Sequence, residues 1–300
     1  MIYKEFLTAW LHEQKTFQKY STYTNYLNIV DNHLIPDLGD LEMDEVNGDV
    51  FQSYILEKLR TGNRLTGGPI SISFAKSILA VIRMTAGNTD NVKLPYYCPK
   101  QIETFSQQEI LTLINSLQSK LTCKGIGVLL AIHTGMRIGE ICALQWKDVD
   151  LKSRTIRVTK TIIRTYSKSE GSRVSITPPK TRTSTRTIPL NSWICQLLYL
   201  VCGDSESFIV SGKPKPTEPG KLRSWYNRVL KQNKIEHRKF HCLRHTFATT
   251  CISCGCDYKS LSQILGHSNV SVTMNLYVHP DMEMKRRCVE NLVDFYNANV

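Results

Sequence analysis

Apolar residues recur at helical spacing through the amino-terminal third of the chain. Leu7, Trp10 and Leu11 fall on one stripe, and Tyr26, Ile29 and Val30 on a second, with Thr22 placed to cap its start and Pro36 and Gly39 to close it. A third helix is expected over 49–59. Beyond a Gly-containing loop at 61–69, a fourth carries Ile72, Phe74, Ala75, Ile78, Leu79 and Ile82. Four helices make a small bundle. Between 89 and 103 the period fails and Pro95 and Pro99 interrupt the chain, which reads as a linker.

The pattern resumes with Ser106 three residues before Glu109, the spacing at which two side chains satisfy free amides at a helix start, followed by Ile110, Leu111, Leu113 and Ile114. A second apolar helix runs through Ile126, Val128, Leu129, Leu130 and Ile132 to a break at Gly135. A short one follows, with Ile138, Ile141, Cys142 and Leu144. Over 155–190 the period becomes two: Ile156 and Val158 flank Arg157, and Val174 and Ile176 flank Ser175. This predicts one small antiparallel sheet whose last strand ends at Ile188, Pro189 and Leu190. From Asn191 the chain is helical again, apart from a loop at 213–220. The expectation is a mainly α protein with a small antiparallel β-sheet, divided into a helical domain at 1–88, a linker at 89–103 and a mixed α+β domain at 104–300.

Charge separates these two parts. The chain has 300 residues and a net charge of +12, yet residues 1–100 hold 10 Lys/Arg against 11 Asp/Glu. The whole excess lies beyond residue 100. Ten basic residues and one acid, Glu170, fall within 152–186, a field that attracts a polyanion, nucleic acid first. The 10 cysteines are too sparse for a disulfide scaffold, and no secretory signal accompanies them, so a reducing cytosol is expected. The longest apolar run, 193–201, is far below the roughly 20 residues that span a bilayer, and no membrane association is expected.

Cys251, Cys254 and Cys256, near Cys242, His241 and His245, invite a metal test. Zinc sites use two separated ligand pairs, and the two histidines lack the glutamate of a zinc-protease helix. Cys251 and Cys254 read instead as small apolar residues on a helix closed by Gly255, and no metal is expected.

Four fragments remain: His133 to Glu140, Pro179-Lys180-Thr181, His241 to His245, and Leu265-Gly266-His267 with Tyr277 ten residues on. Singly, each has a structural explanation. Together they supply arginine forks that bind phosphate oxygens in pairs, histidines and a lysine for proton transfer, and a tyrosine oxygen able to form a covalent ester. Neither a carboxylate cluster for Mg²⁺ nor a phosphate-binding glycine loop accompanies them. The set points to phosphoryl transfer through a tyrosine ester without a cofactor.

At these residues the chain resembles the tyrosine recombinase, or phage integrase, family. The box around the family's first arginine, Thr-Gly-aliphatic-Arg-x-x-Glu and then Leu-x-Trp-x-Asp, is matched by Thr134 to Glu140 and by Leu144, Trp146 and Asp148. The second, His-x-Leu-Arg-His-Thr-Phe-Ala-Thr, stands intact from His241 to Thr249. The last is matched by Leu265, Gly266, His267, Thr273 and Tyr277. The likeness spans nearly the whole chain. It implies a helical core-binding (SAM-like) domain followed by a mixed α+β catalytic domain.

The resemblance implies that Tyr277 attacks the scissile phosphate, forming a 3′-phosphotyrosine and releasing a 5′-hydroxyl. Arg137 and Arg244 would clamp the phosphate, Lys180 would protonate the leaving oxygen, His241 would exchange a proton with the Tyr277 hydroxyl, and His267 would bond a phosphate oxygen. Glu140 would orient its neighbours, while His133, His245 and His279 are expected to be structural. Candidate DNA contacts are Arg173, Arg182 and Arg186 in the second domain, and Lys15, Lys19 and Lys76, with Lys58, Arg60 and Arg64, in the first.

The expected partners are double-stranded DNA carrying specific recombination sites, a homotetramer on synapsed DNA, and an excisionase or DNA-bending protein, in a bacterial cytoplasm at the nucleoid. Because the chain opens on core-binding helices, no separate arm-binding domain is expected. The segment 282–295, with Cys288, Leu292, Val293 and Phe295, would dock on a neighbouring protomer or cap its own domain. A Xer-like dimer resolvase, a relaxing topoisomerase and a catalytically silent DNA-binding protein are the alternatives to an integrase.

Overall fold

The computed structural model describes all residues except 64–65, 88, 98–101, 168–170, 180–181, 278–281, 283–285, 287–288, 291–292, 294–295 and 297–300, and leaves out the side chains of 167, 171, 172, 182 and 275. Its contacts divide the chain into two units, residues 1–100 with 164–174, and residues 101–163 with 175–300.

In the first unit, α1 (Tyr3–Phe17), α2 (Tyr20–Ile29), α3 (Ile35–Leu38), α4 (Gly48–Thr61) and α5 (Ile72–Thr85) enclose a core of Tyr3, Leu7, Ile29, Leu34, Phe51, Ile55, Ile78 and Ile82. Two polar ties cross it. The Tyr3 and Thr85 hydroxyls lie 2.8 Å apart, joining α1 to α5, and the Tyr54 hydroxyl donates to the His33 carbonyl at 2.7 Å. That carbonyl belongs to a wide π-turn, Val30–Leu34, through which α2 runs on into α3. Pro36 therefore does not close α2. The widened turn absorbs a ring that has no amide to donate, and the chain stays helical to Leu38. Thr22 is not the cap either: it sits in the first turn of α2, its amide bonded to the Lys19 carbonyl at 2.8 Å.

The second unit is built on α7 (Cys123–Thr134), apolar on every side and buried from Gly125 through Ile132. A helix of that composition belongs at the centre, and α6 (Gln107–Ser119), α8 (Ile138–Ala143), α9 (Ser192–Leu200), α10 (Pro219–Gln232) and α11 (His241–Ser253) pack on it. The capping box at the start of α6 forms as the spacing requires, with Glu109 N to Ser106 Oγ at 3.2 Å and Ser106 N to Glu109 Oε2 at 2.8 Å. After α11 come α12 (Tyr258–Leu265) and α13 (Val270–Tyr277).

The strands form two sheets where the sequence predicts one. β1 (Val149–Asp150), β2 (Thr155–Val158) and β5 (Arg186–Pro189) form an antiparallel sheet in the order β1-β2-β5, with buried Ile156 opposite buried Ile188. β3 (Thr161–Ser167) and β4 (Gly171–Thr177) form a separate hairpin. Alternation marks both pairs alike and carries no information on which strands share a ladder. Pro189 is tolerated because β5 is an edge strand.

Candidate active site

Gly135 ends α7 in left-handed backbone at φ 62°, where a Cβ would stand 2.5 Å from Phe247 Cδ1 and 2.8 Å from Leu265 Cδ2. Conformation and space both require glycine here. The turn delivers Arg137 to the start of α8. There its amide donates to Glu140 Oε2 at 2.9 Å and its Nη1 to Oε1 at 3.0 Å.

Arg186, from β5, completes the brace. Its Nη2 reaches Glu140 Oε2 at 2.9 Å, its Nη1 reaches Oε1 at 3.1 Å, and its Nε donates to the Ile264 carbonyl at 2.6 Å. With a side chain only 6% exposed, Arg186 is not on the surface where the sequence placed a DNA contact. The carboxylate and the end of α12 hold it inside. Burial pushes the Glu140 carboxyl up, but the hydrogen bonds and charge of Arg186, then those of Arg137, bring it below the usual carboxylate value. Two guanidiniums on one carboxylate leave net positive charge.

Arg244 lies deeper, 1% exposed on α11, donating Nη1 to the Gly135 carbonyl and Nη2 to the Leu265 carbonyl, each at 2.8 Å. Burial first, then the Arg137 charge, lowers it to about 9, so it stays cationic at neutral pH. These two bonds bind the turn after α7 to the end of α12. There Gly266 (φ 68°) reverses the chain. His267 follows with Nδ1 2.8 Å from Thr273 Oγ1.

Tyr277, the last residue of α13, is 7% exposed and packs on Ala248, Ile252, Leu261 and Leu265. Its hydroxyl is 2.8 Å from His245 Nδ1. Burial raises the phenol pKa, while the neighbouring Arg244 and Arg137 charges pull it back. The His267 ring lies nearly parallel to the Tyr277 ring, with centroids 6.4 Å apart. His245, expected to be structural, thus touches the candidate tyrosine and does not face away from His241. It stands four residues after His241, one helical turn on, so the two rings share a face, edge to face at 4.6 Å. That spacing was the signal in the sequence, and adjacency to Arg244 masked it.

All three histidines are held below their ordinary value and are neutral at pH 7. Desolvation, then His245, Arg244 and Arg137, takes His241 to about 4, although its side chain reaches solvent. Burial, then Arg244, Arg137 and Arg186, takes His267 to about 4. Burial, then Arg244, lowers His245. An anion bound among these cations would offset the charges that help hold His241 and His267 down and raise both, turning those two imidazoles into donors as it arrives, whereas His245 is held down first by burial. The arrangement can hold a tetrahedral oxyanion beside a tyrosine oxygen.

Of the remaining candidates, Lys15, Lys19, Lys76 and Arg173 are exposed. Lys58 is paired with Asp37 at 2.8 Å and does not join a free basic face. His133 packs on Trp193. Lys180, Arg64, His279, Cys288, Leu292 and Phe295, like the side chain of Arg182, lie outside the described residues, and Val293 is exposed. Cys254 is not on α11 but caps its end, exposed, with Gly255 (φ 82°) turning the chain after it. Among the described residues no three His, Cys, Asp or Glu side chains converge as a metal-ligand set, and no helix is long and apolar enough to cross a membrane.

The chain belongs to the phage integrase family: the family's model matches residues 103–284, and the model of the phage integrase N-terminal SAM-like domain matches residues 2–59. A XerC-like tyrosine recombinase of Caldanaerobacter subterraneus subsp. tengcongensis is 32% identical over 217 residues, covering 65% of this chain and 55% of that protein. The transposase from transposon Tn916 of Enterococcus faecalis is 27% identical over 215 residues, covering 63% and 51%. The chain thus spans about half the length of these curated relatives. The Tn1549 transposon integrase, solved with transposon right end DNA, shares the fold at a TM-score of 0.74 and 20% identity, covering 98% of this chain and 100% of that one.

Proposed function

We propose that the protein is a site-specific DNA recombinase that cuts and rejoins duplex DNA through a covalent 3′-phosphotyrosine and integrates or excises a mobile element. One observation carries the reading: the Tyr277 hydroxyl stands beside the buried Arg244, in a cationic site that also contains Arg137. Such a site binds the negative charge that develops on a phosphate in transit.

In the proposed step the Tyr277 oxygen bonds to phosphorus and the bond from phosphorus to the 5′ oxygen breaks. One phosphoester replaces another, so rejoining needs no external energy source. Arg137 and Arg244 neutralise the non-bridging oxygens, with Glu140 and Arg186 holding Arg137 in place. His241 and His267 donate to phosphate oxygens once the anion has raised their pKa values, and Lys180 is assigned the proton for the departing 5′ oxygen. The helical first unit would grip the duplex through Lys15, Lys19 and Lys76, and the hairpin through Arg173 and Arg182.

A homotetramer on two synapsed sites would exchange strands in turn, at the nucleoid of a bacterial cytoplasm, with an excisionase or DNA-bending protein setting direction. The likeness to the XerC-like protein favours dimer resolution as the second reading, with the same chemistry at each phosphate. The test is a nicked duplex taken from the DNA flanking the gene, incubated with wild type and Tyr277→Phe in the presence of a chelator and run on a denaturing gel. A protease-sensitive shifted band from wild type alone is expected. Salt-sensitive binding without a band would leave a silent DNA-binding protein.

A further inference from the structure

We propose that His245, rather than His241, takes the proton from Tyr277 as the tyrosine attacks. The assignment rests on the recombinase reading above.

Among the described residues, Arg244 and His245 are hydrogen-bonded to the hydroxyl, with the His267 ring parallel to the tyrosine ring and His241 against His245. Arg244 is cationic at neutral pH and has only donors. His267 has its Nδ1 engaged by Thr273 at 2.8 Å. His241 begins α11, its side chain open to solvent and its ring against His245. Among the described residues only His245 places a ring nitrogen, Nδ1, at hydrogen-bond distance from the phenol oxygen, 2.8 Å, within the reach a general base needs. Its face is met by His241 and Arg244 from α11 and by Tyr277 from α13, with His267 beyond the tyrosine ring. No carboxylate is among them. The imidazole is therefore neutral at pH 7 and, with its own proton on Nε2, has Nδ1 free to accept.

The step balances. The phenol proton moves to Nδ1, the oxygen's electron pair forms the bond to phosphorus, and the 5′ oxygen departs with the pair from the bond that breaks and takes its proton from the acid assigned to it above. The resulting imidazolium stands next to Arg244, an unfavourable pairing that the phosphoryl charge relieves while the phosphate is bound. In the reverse direction, when a 5′-hydroxyl attacks the phosphotyrosine, the same imidazolium returns the proton to the departing Tyr277 oxygen. Base in cleavage and acid in rejoining are one residue.

Two measurements test this independently. In the DNA-free protein, long-range proton–nitrogen spectra of ring-labelled histidine, with His245→Gln marking the signal, should show His245 as the Nε2-protonated form, its Nδ1 shifting in Tyr277→Phe. A proton on Nδ1 would overturn the proposal, because the ring would then donate to the tyrosine. On the nicked duplex from the flanking DNA, His245→Gln and His245→Asn should both slow adduct formation by about 10²-fold or more.

The defect should persist when sulfur replaces the bridging 5′ oxygen, since that leaving group needs no acid. It should shrink as pH rises, because the phenolate fraction climbs about tenfold per unit below the raised pKa of the phenol. Wild type should instead level off above the lowered His245 pKa. Near-wild-type rates in either variant, rescue by sulfur, or a flat pH profile in the variants would overturn the assignment. Asn retains an acceptor but takes no proton, so recovery in it alone would reduce His245 to a positioning residue. Failure of wild type to cleave would count against the recombinase reading, while the tautomer would still decide His245.

Discussion

The two halves of the site are held in different ways. Arg137, Glu140, Arg186 and Arg244 form a polar lattice in which guanidinium nitrogens meet carboxylate or backbone oxygens at 2.6–3.1 Å, anchored on the turn after α7, on β5 and at the end of α12. Tyr277 ends an eight-residue helix and is fixed by apolar packing, the adjacent Arg244 and a bond to His245. Under the proposed function this lattice would be in place before substrate arrives, as stabilisation of a developing charge requires. Tyr277, the proposed nucleophile, is instead held by apolar packing from α11 and α12, by Arg244 and by one imidazole.

Breaking the clamp at its centre should have the largest effect. Arg244→Ala should lower the cleavage rate by about 10²-fold or more, measured by adduct formation under single-turnover conditions, with DNA binding far less affected. It also strands the Gly135 and Leu265 carbonyls, so a fall in melting temperature should accompany the kinetic loss.

Loosening the brace comes next. Arg186→Gln leaves Glu140 to Arg137 alone, and cleavage should fall by about tenfold through a displaced Arg137, roughly one hydrogen-bonded charge pair's worth. The carboxyl then rises toward or above its ordinary value of 4.5. A group depressed in the folded state stabilises above its unfolded pKa and loses that stabilisation as pH falls through its folded value. The melting-temperature gap between wild type and Arg186→Gln should therefore be widest near neutral pH and close on acidification. A constant gap would mean that Arg186 acts by packing alone.

The smallest effect lies outside both halves. Ser106→Ala removes one limb of the α6 capping box and should cost about 1 kcal/mol in denaturant titration, leaving cleavage unchanged.

Much of this was legible in the sequence because period and motif act locally. The stripe of Leu7, Trp10 and Leu11 is buried in α1, and the pair Ser106 and Glu109 caps α6. The left-handed glycines at 135 and 266 end α7 and α12 where the pattern breaks. What escaped depends on tertiary partners. A proline normally stops a helix, and nothing local announces the π-turn that carries α2 past Pro36.

The separation of β3 and β4 from the other strands is a matter of pairing, to which alternation is blind. Arg186 sits in a basic run that reads as surface, and only the fold brings it against Glu140. His245 differs, since its spacing from His241 was visible and the helix geometry alone places both rings on one face.

The central claim is that the Tyr277 oxygen becomes the covalent link to DNA. The most direct measurement is mass spectrometry of the wild-type adduct trapped on the nicked duplex, after nuclease and protease digestion. The account expects the nucleotide phosphate on the peptide containing Tyr277, joined at the tyrosine oxygen. A phosphate on any other residue, or an adduct that survives Tyr277→Phe, would contradict it.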